Sequence, residues 1–125
     1  MAPHLFSIGL VDDDPRVLES FEELLASSGY NVSAFPSGEA FLSEGGVLRV
    51  DCLISDIGMP GMSGWDLLAR AHAQRPDLPV VLITARDEEY PLEKVKAKGA
   101  AHLFRKPVDG RELLNALEGI FQPRA

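Results

Sequence analysis

Four aspartates and one lysine stand at the ends of short apolar stretches. Asp12, Asp13 and Asp14 follow Leu10-Val11, Asp56 follows Cys52-Leu53-Ile54-Ser55, and Lys106 precedes Pro107. Carboxylates brought together in this number repel one another. At roughly 4 Å and an effective dielectric near 20, each like-charge pair costs about 4 kcal/mol before screening, so such a cluster calls for a cation or raised pKa values. Oxygen ligands select a hard ion. Few protein ligands, with positions left for water and a phosphate oxygen, point to Mg2+ over an enclosing Ca2+ site, with Mn2+ able to substitute. A lysine ammonium in the same place suits a phosphoryl group.

Residues this far apart in sequence need a scaffold that gathers them. Leu5–Val11, Asn31–Phe35, Cys52–Ser55, Val80–Thr84 and Ala101–Arg105 read as strands, and the first, third and fourth are nearly continuous apolar runs, as strands buried on both faces of a parallel sheet are. Helical patterns lie between them. Asp14 caps a helix that starts at Pro15, keeps Leu18, Phe21, Leu24 and Leu25 on one side and stops at Gly29. Ser63 and Asp109 start two more, the latter with Glu112 in capping-box spacing ahead of a stripe of Leu113, Leu114, Leu117, Ile120 and Phe121. The segment Glu88–Lys98 is helical in pattern but thin in apolar residues, with Leu92, Val95 and Ala97 against Lys94, Lys96 and Lys98. Strands alternating with helices give a (βα)5 chain, whose right-handed crossovers put helices on both faces of a parallel sheet. In the order 2-1-3-4-5, strands one and three are neighbours at the switch point, outside whose carboxyl ends ligands bind, and Asp12 and Asp13 then approach Asp56.

Length and composition narrow the function classes. A chain of 125 residues, 46% hydrophobic and 25% charged, suits a single domain over 1–125. With a net charge of −7, nothing favours binding to nucleic-acid phosphates or anionic lipid without a basic partner. Cys52, the one cysteine, excludes an internal disulfide and a thiolate metal cluster and reads as a buried apolar thiol. No apolar run reaches the ~20 residues of a membrane span, and Met1-Ala2-Pro3-His4 lacks signal-peptide character, so a cytoplasmic location is expected. Gln122-Pro123-Arg124-Ala125 reads as a frayed end or the start of a linker. Asp51 reads as a strand-start residue, Trp65 as partial core, and His4, His72 and His102 as scattered surface or core residues without a site of their own.

Taken together, Val11-Asp12-Asp13-Asp14, the run Ser55-Asp56-Ile57-Gly58-Met59-Pro60-Gly61-Met62-Ser63-Gly64, Leu82-Ile83-Thr84-Ala85 and Lys106-Pro107 resemble the receiver domain of two-component response regulators. Phe35–Leu42 and Asp51–Leu68 are most similar to the FixJ branch, whose receivers usually precede a helix-turn-helix output domain. The resemblance implies a flavodoxin-like α/β three-layer sandwich and a phosphoryl switch rather than an enzyme with a separate substrate. It implies Asp56 as phosphoacceptor from a sensor histidine kinase. Mg2+ would be held by Asp13, Asp56 and the Gly58 carbonyl, with Asp12 acting through metal-bound water, and Thr84 and Lys106 would contact phosphoryl oxygens. It also implies a cis bond before Pro107 and phosphorylation-dependent dimerisation through the fourth helix, fifth strand and fifth helix.

Two positions depart from the usual receiver. Leu103 stands where an aromatic residue commonly turns inward on activation, and Phe104 cannot replace it because a strand changes face at each residue. Gly58 and Arg86, two residues beyond Asp56 and Thr84, flank the expected phosphoryl position, Gly58 offering water no obstruction and Arg86 expected to screen the group. Three other readings stay open. A degenerate receiver would bind partners without phosphorylation. A haloacid-dehalogenase-like phosphohydrolase would use the Asp-x-Asp of Asp12 to Asp14, although Arg16 stands where its motif wants Thr or Val. A flavodoxin-like mononucleotide binder would have to place phosphate against three aspartates.

Overall fold

Alternating strand and helix patterns resolve, in the computed structural model, into five strands and six helices; residues 5–85 and 91–122 are described. In chain order they are β1 (Ser7–Val11), α1 (Pro15–Ser27), β2 (Asn31–Phe35), α2 (Gly38–Ser43), α3 (Gly46–Arg49), β3 (Cys52–Asp56), α4 (Gly64–Gln74), β4 (Val80–Thr84), α5 (Leu92–Ala97), β5 (His102–Arg105) and α6 (Gly110–Phe121). The strands form one parallel sheet in the order β2-β1-β3-β4-β5, the order expected from the sequence.

Helices cover both faces. One face packs Val11, Leu53, Val80 and Leu82 against Phe41, Val47, Leu67, Leu68 and Val95 of α2 to α5. The other packs Ile8, Leu10, Ile54, Val81 and Ile83 against Leu25, Leu113 and Leu117 of α1 and α6. β3 and β4 are buried along their whole length, which accounts for their unbroken apolar runs. Each fully buried Leu or Ile contributes about 1.5–3 kcal/mol relative to exposure. β2 and β5, at the edges, are partly exposed. Cys52 lies inside the sheet with its thiol pushed up to about 12, first by burial and then by the Asp51 charge. Leu103 and Phe104 pack on opposite faces, as strand alternation requires.

Helix ends follow local chemistry with two differences. Asp14 caps α1, its carboxylate accepting from Arg16 N–H at 2.9 Å, and Gly29 leaves the helix with φ 94°. The reciprocal capping box forms at Ser63 and Asp66 of α4; Asp109 at α6 instead accepts from the N–H groups of both Arg111 and Glu112. The second helical region divides into α2 and α3 because Gly45 adopts φ 74° between them, and the added Cβ of a larger residue at Gly46 would lie 2.4 Å from the Phe41 ring. Arg75 holds α3 from below, donating to the carbonyls of Val47 at 2.9 Å and Val50 at 2.6 Å.

α5 is shorter than the Glu88–Lys98 pattern; it starts behind Pro91 without a side-chain cap, and residues 86–90 lie outside the described residues. Val95 is buried and Ala97 exposed, while the Leu92 side chain lies outside the described residues. Lys98 lies 5.5 Å from the centre of the Trp65 ring, which itself packs half-buried on the core. Among the described residues, no helix is long and apolar enough to cross a membrane.

Candidate functional site

Register brings the chemistry-bearing residues to one end of the sheet. Val11 pairs with Ser55, Asp56 with Ile83 and Thr84 with Arg105, so β1, β3, β4 and β5 end at nearly the same level. The backbone ladder runs one residue further: Asp12 N–H donates to Phe35 O at 3.3 Å, Ile57 N–H to Ile83 O at 2.8 Å and Lys106 N–H to Thr84 O at 2.9 Å. Those bonds fix where the following side chains leave the sheet. The bond between Lys106 and Pro107 is cis.

Asp12, Asp13 and Asp56 each offer a carboxylate oxygen, and these atoms lie within 4.8 Å of one another. Asp12 and Asp56 are buried at 4% and 6% exposure, while Asp13 faces solvent. Lys106 enters from β5, its Nζ 3.2 Å from Asp56 Oδ1 and 3.5 Å from Asp12 Oδ2. Asp12 Oδ1 also accepts from Asp14 N–H at 2.9 Å. Burial pushes the Asp12 carboxyl up and the Asp56 charge adds to this; the Asp14 N–H and Lys106 oppose the rise without cancelling it. Burial alone would draw the Lys106 ammonium down, but the charges of Asp12 and Asp56 and the hydrogen bonds to them outweigh it, and its pKa is raised.

Among the described residues, one cation, Lys106, faces three acids, which leaves the cluster short of positive charge. Its all-oxygen donor set, open to water on the Asp13 side, has the chemistry of a hard divalent-ion site. The Thr84 hydroxyl also lies unpaired at this end: Thr84 is 1% exposed, and its Oγ1 has no hydrogen-bond partner among the described residues. Buried hydroxyls are rarely left so, and at the end of β4 this one is free to bond an oxygen brought into the site.

Several residues expected elsewhere are elsewhere. Asp14 is turned to the start of α1, and the hydrogen bond from Arg16 N–H, with the Arg16 charge behind it, holds its carboxyl below the ordinary value. The second acid of the Asp-x-Asp is thus a helix cap. Asp51 accepts from Ser7 N–H at 2.8 Å and ties the start of β1. His72 Nε2 bonds the Leu78 carbonyl at 2.8 Å, and the exposed His102 stacks on Phe104. His4 and Arg86 lie outside the described residues. Gly58 is exposed, and a Cβ built there meets nothing within 4 Å.

Gly64 was not legible as a site residue. A Cβ on it would stand 2.5 Å from Asp56 O and 2.8 Å from Ile57 Cα, so only glycine lets the start of α4 pack directly on the end of β3. The signal was a Ser-Gly pair at a helix start, too common to carry a role alone.

The comparisons agree with this geometry. Residues 8–118 match the family described as the response regulator receiver domain. The response regulator protein TmoT of Ectopseudomonas mendocina is 36% identical over 88% of this chain and 50% of its own length. The transcriptional regulatory protein FixJ of Azorhizobium caulinodans is 35% identical over 92% of this chain and 54% of its own. The chain therefore spans about half the length of the curated relatives it matches. The solved structure of FixJ-N superposes with a TM-score of 0.84 at 27% identity, covering 98% of this chain and 99% of that one. With the fold, the strand-end aspartates and the lysine in the arrangement described above, the chain belongs to the response regulator receiver domain family, the signalling domain of two-component systems.

Proposed function

We propose that residues 1–125 act as one phosphoacceptor switch, with Asp56 as the acceptor and a sensor histidine kinase as the donor. One observation carries the reading: Lys106 Nζ sits 3.2 Å from Asp56 Oδ1 at the edge of a three-carboxylate cluster. Asp13, Asp56 and the Gly58 carbonyl would hold Mg2+, or Mn2+ in its place, and Asp12 would act through bound water. The ion's contribution is to neutralise charge on the transferring phosphoryl group.

An Asp56 carboxylate oxygen attacks the phosphorus in line, an O–P bond forms, and the donor's bond to phosphorus breaks with its electron pair leaving on the donor, which takes up a proton. A carboxylate is a weak nucleophile, so catalysis rests on placement and on neutralising the equatorial oxygens. Lys106 is positioned to shift from Asp56 to a phosphoryl oxygen, and Thr84 Oγ1 to donate to another. The exposed Asp13 and the open space at Gly58 leave the donor a route in.

The new charge then selects between two arrangements of the domain. Moving a 1:99 equilibrium to 99:1 needs about 5.5 kcal/mol of differential interaction. α5, anchored through Val95, is the element placed to respond, and α5, β5 and α6 are the surface through which phosphorylation would drive dimerisation. The output is transcriptional and reached through a partner or further domain in the cytoplasm, without nucleic-acid or membrane binding by this domain. With Asp14 capping α1, the haloacid-dehalogenase reading loses its second acid.

Incubation with radiolabelled acetyl phosphate and Mg2+ tests the proposal. The unsubstituted chain should take label and Asp56→Asn should fold without taking it. Stable labelling of Asp56→Asn would move the acceptor to another residue, and an unsubstituted chain that refuses label would leave the degenerate receiver as the better account.

A further inference from the structure

β3 carries one polar side chain among its apolar residues before the terminal acid. Ser55 is fully buried at 0% exposure, level with Val11 of β1 and Leu82 of β4. A hydroxyl in such a place must find a partner inside the protein. Its partner is the backbone carbonyl of Asp56, which accepts from Ser55 Oγ at 2.9 Å. That same carbonyl abuts the first residue of α4, where the missing Cβ of Gly64 would lie 2.5 Å away. Gly64 N–H donates to the next carbonyl, Ile57 O, at 2.9 Å. The peptide that follows the acceptor is therefore held by a hydroxyl from within the strand and by a helix start packed against it.

We infer that Ser55 is a positioning residue for the acceptor. Its hydroxyl sets the orientation of the peptide joining Asp56 to Ile57. Through the shared Cα it sets the aim of the Asp56 carboxylate, which must reach Lys106 Nζ at 3.2 Å and face the incoming phosphorus in line. Gly64 supplies the surface against which that peptide is held. A residue serving only to fill space between Val11 and Leu82 would do so equally well as alanine; the hydroxyl is what the aim requires. In-line attack is sensitive to such aim, a misplacement of 1 Å costing on the order of 100-fold in rate. The inference deepens the phosphoacceptor reading of Asp56 and rests on it.

The test compares the full chain with Ser55→Ala and Ser55→Thr, measuring the rate of Asp56 labelling by acetyl phosphate with saturating Mg2+. The temperature is one at which urea melts show each protein folded. Ser55→Ala should label at least about tenfold more slowly, and Ser55→Thr, which keeps the hydroxyl, should recover most of the rate. Loss of stability alone would not slow a folded protein in this way. Labelling of Ser55→Ala at the unsubstituted rate, or a Ser55→Thr as slow as Ser55→Ala, overturns the positioning role while leaving Asp56 as acceptor. Should Ser55→Ala not fold, Ser55→Cys replaces it, being close in size but a weak donor; slowed labelling supports the role and an unchanged rate overturns it. An unsubstituted chain without label at Asp56 removes the phosphoacceptor reading itself and the inference with it.

Discussion

Replacing Asp12 by asparagine keeps the shape of a buried side chain, and its acceptor for Asp14 N–H, while deleting one of three converging charges. In the folded chain burial, then the Asp56 charge, hold the Asp12 carboxyl above its ordinary 3.8 against the pull of the Asp14 N–H and Lys106. A carboxyl raised on folding contributes stability in full below its unfolded value, and that contribution is lost as pH climbs through the folded value. At pH 7 the ionised Asp12 therefore weakens the ion-free fold.

The geometry sets the size. Attraction to Lys106 at 3.5 Å is worth about 5 kcal/mol at an effective dielectric near 20. Repulsion from Asp13 and Asp56, each within 4.8 Å, is at least about 3.5 kcal/mol apiece. Repulsion leads by about 2 kcal/mol, and water around the exposed Asp13 and the one-third exposed Lys106 trims both sides. Asp12→Asn should thus stabilise the ion-free protein by about 1–2 kcal/mol, roughly 5 °C in a domain of this size. Urea melts in EDTA at pH 7 should show the gain, and it should shrink below pH 3.8, where Asp12 is neutral in both states. With Mg2+ the order should close or invert, because an ion at a hundred times its Kd adds about 2.7 kcal/mol to the form that binds it. An Asp12→Asn protein less stable than the parent in EDTA at pH 7 would refute this electrostatic account.

Thr84→Val removes a buried hydroxyl that has no partner, so it should stabilise the unphosphorylated protein by about 1 kcal/mol in urea melts while slowing phosphoryl transfer from acetyl phosphate. Gly64→Ala drives a methyl into the Asp56 carbonyl and should cost about 1–3 kcal/mol, read as a fall in urea midpoint.

Strand positions were legible because β1, β3 and β4 are buried on both faces and show it as nearly unbroken apolar runs, and 2-1-3-4-5 is the simplest order for a (βα)5 chain, one that sets Asp12 beside Asp56. The cluster of Asp12, Asp13, Asp56 and Lys106 followed, since each residue lies at or just past a strand end. Contacts made through the backbone were hidden. The division of α2 from α3 depends on a positive φ at Gly45, and the packing of Gly64 on Asp56 depends on the absence of a side chain. The capping box at Ser63 was hidden because its third helical residue is Asp66, where the usual motif has Glu or Gln, yet the shorter acid accepts from the Ser63 N–H at 3.2 Å. The unpartnered Thr84 hydroxyl is a property of packing that no spacing rule reveals.

The central claim is that Asp56 takes a phosphoryl group with the help of a divalent ion and Lys106. Its most direct test is mass-spectrometric peptide mapping after acetyl phosphate treatment and reductive trapping of the acyl phosphate, with and without Mg2+, on the parent and on Lys106→Ala. The account predicts modification at Asp56 alone, abolished by EDTA and strongly reduced in Lys106→Ala. Modification elsewhere, or at Asp56 with equal yield in EDTA, would contradict it.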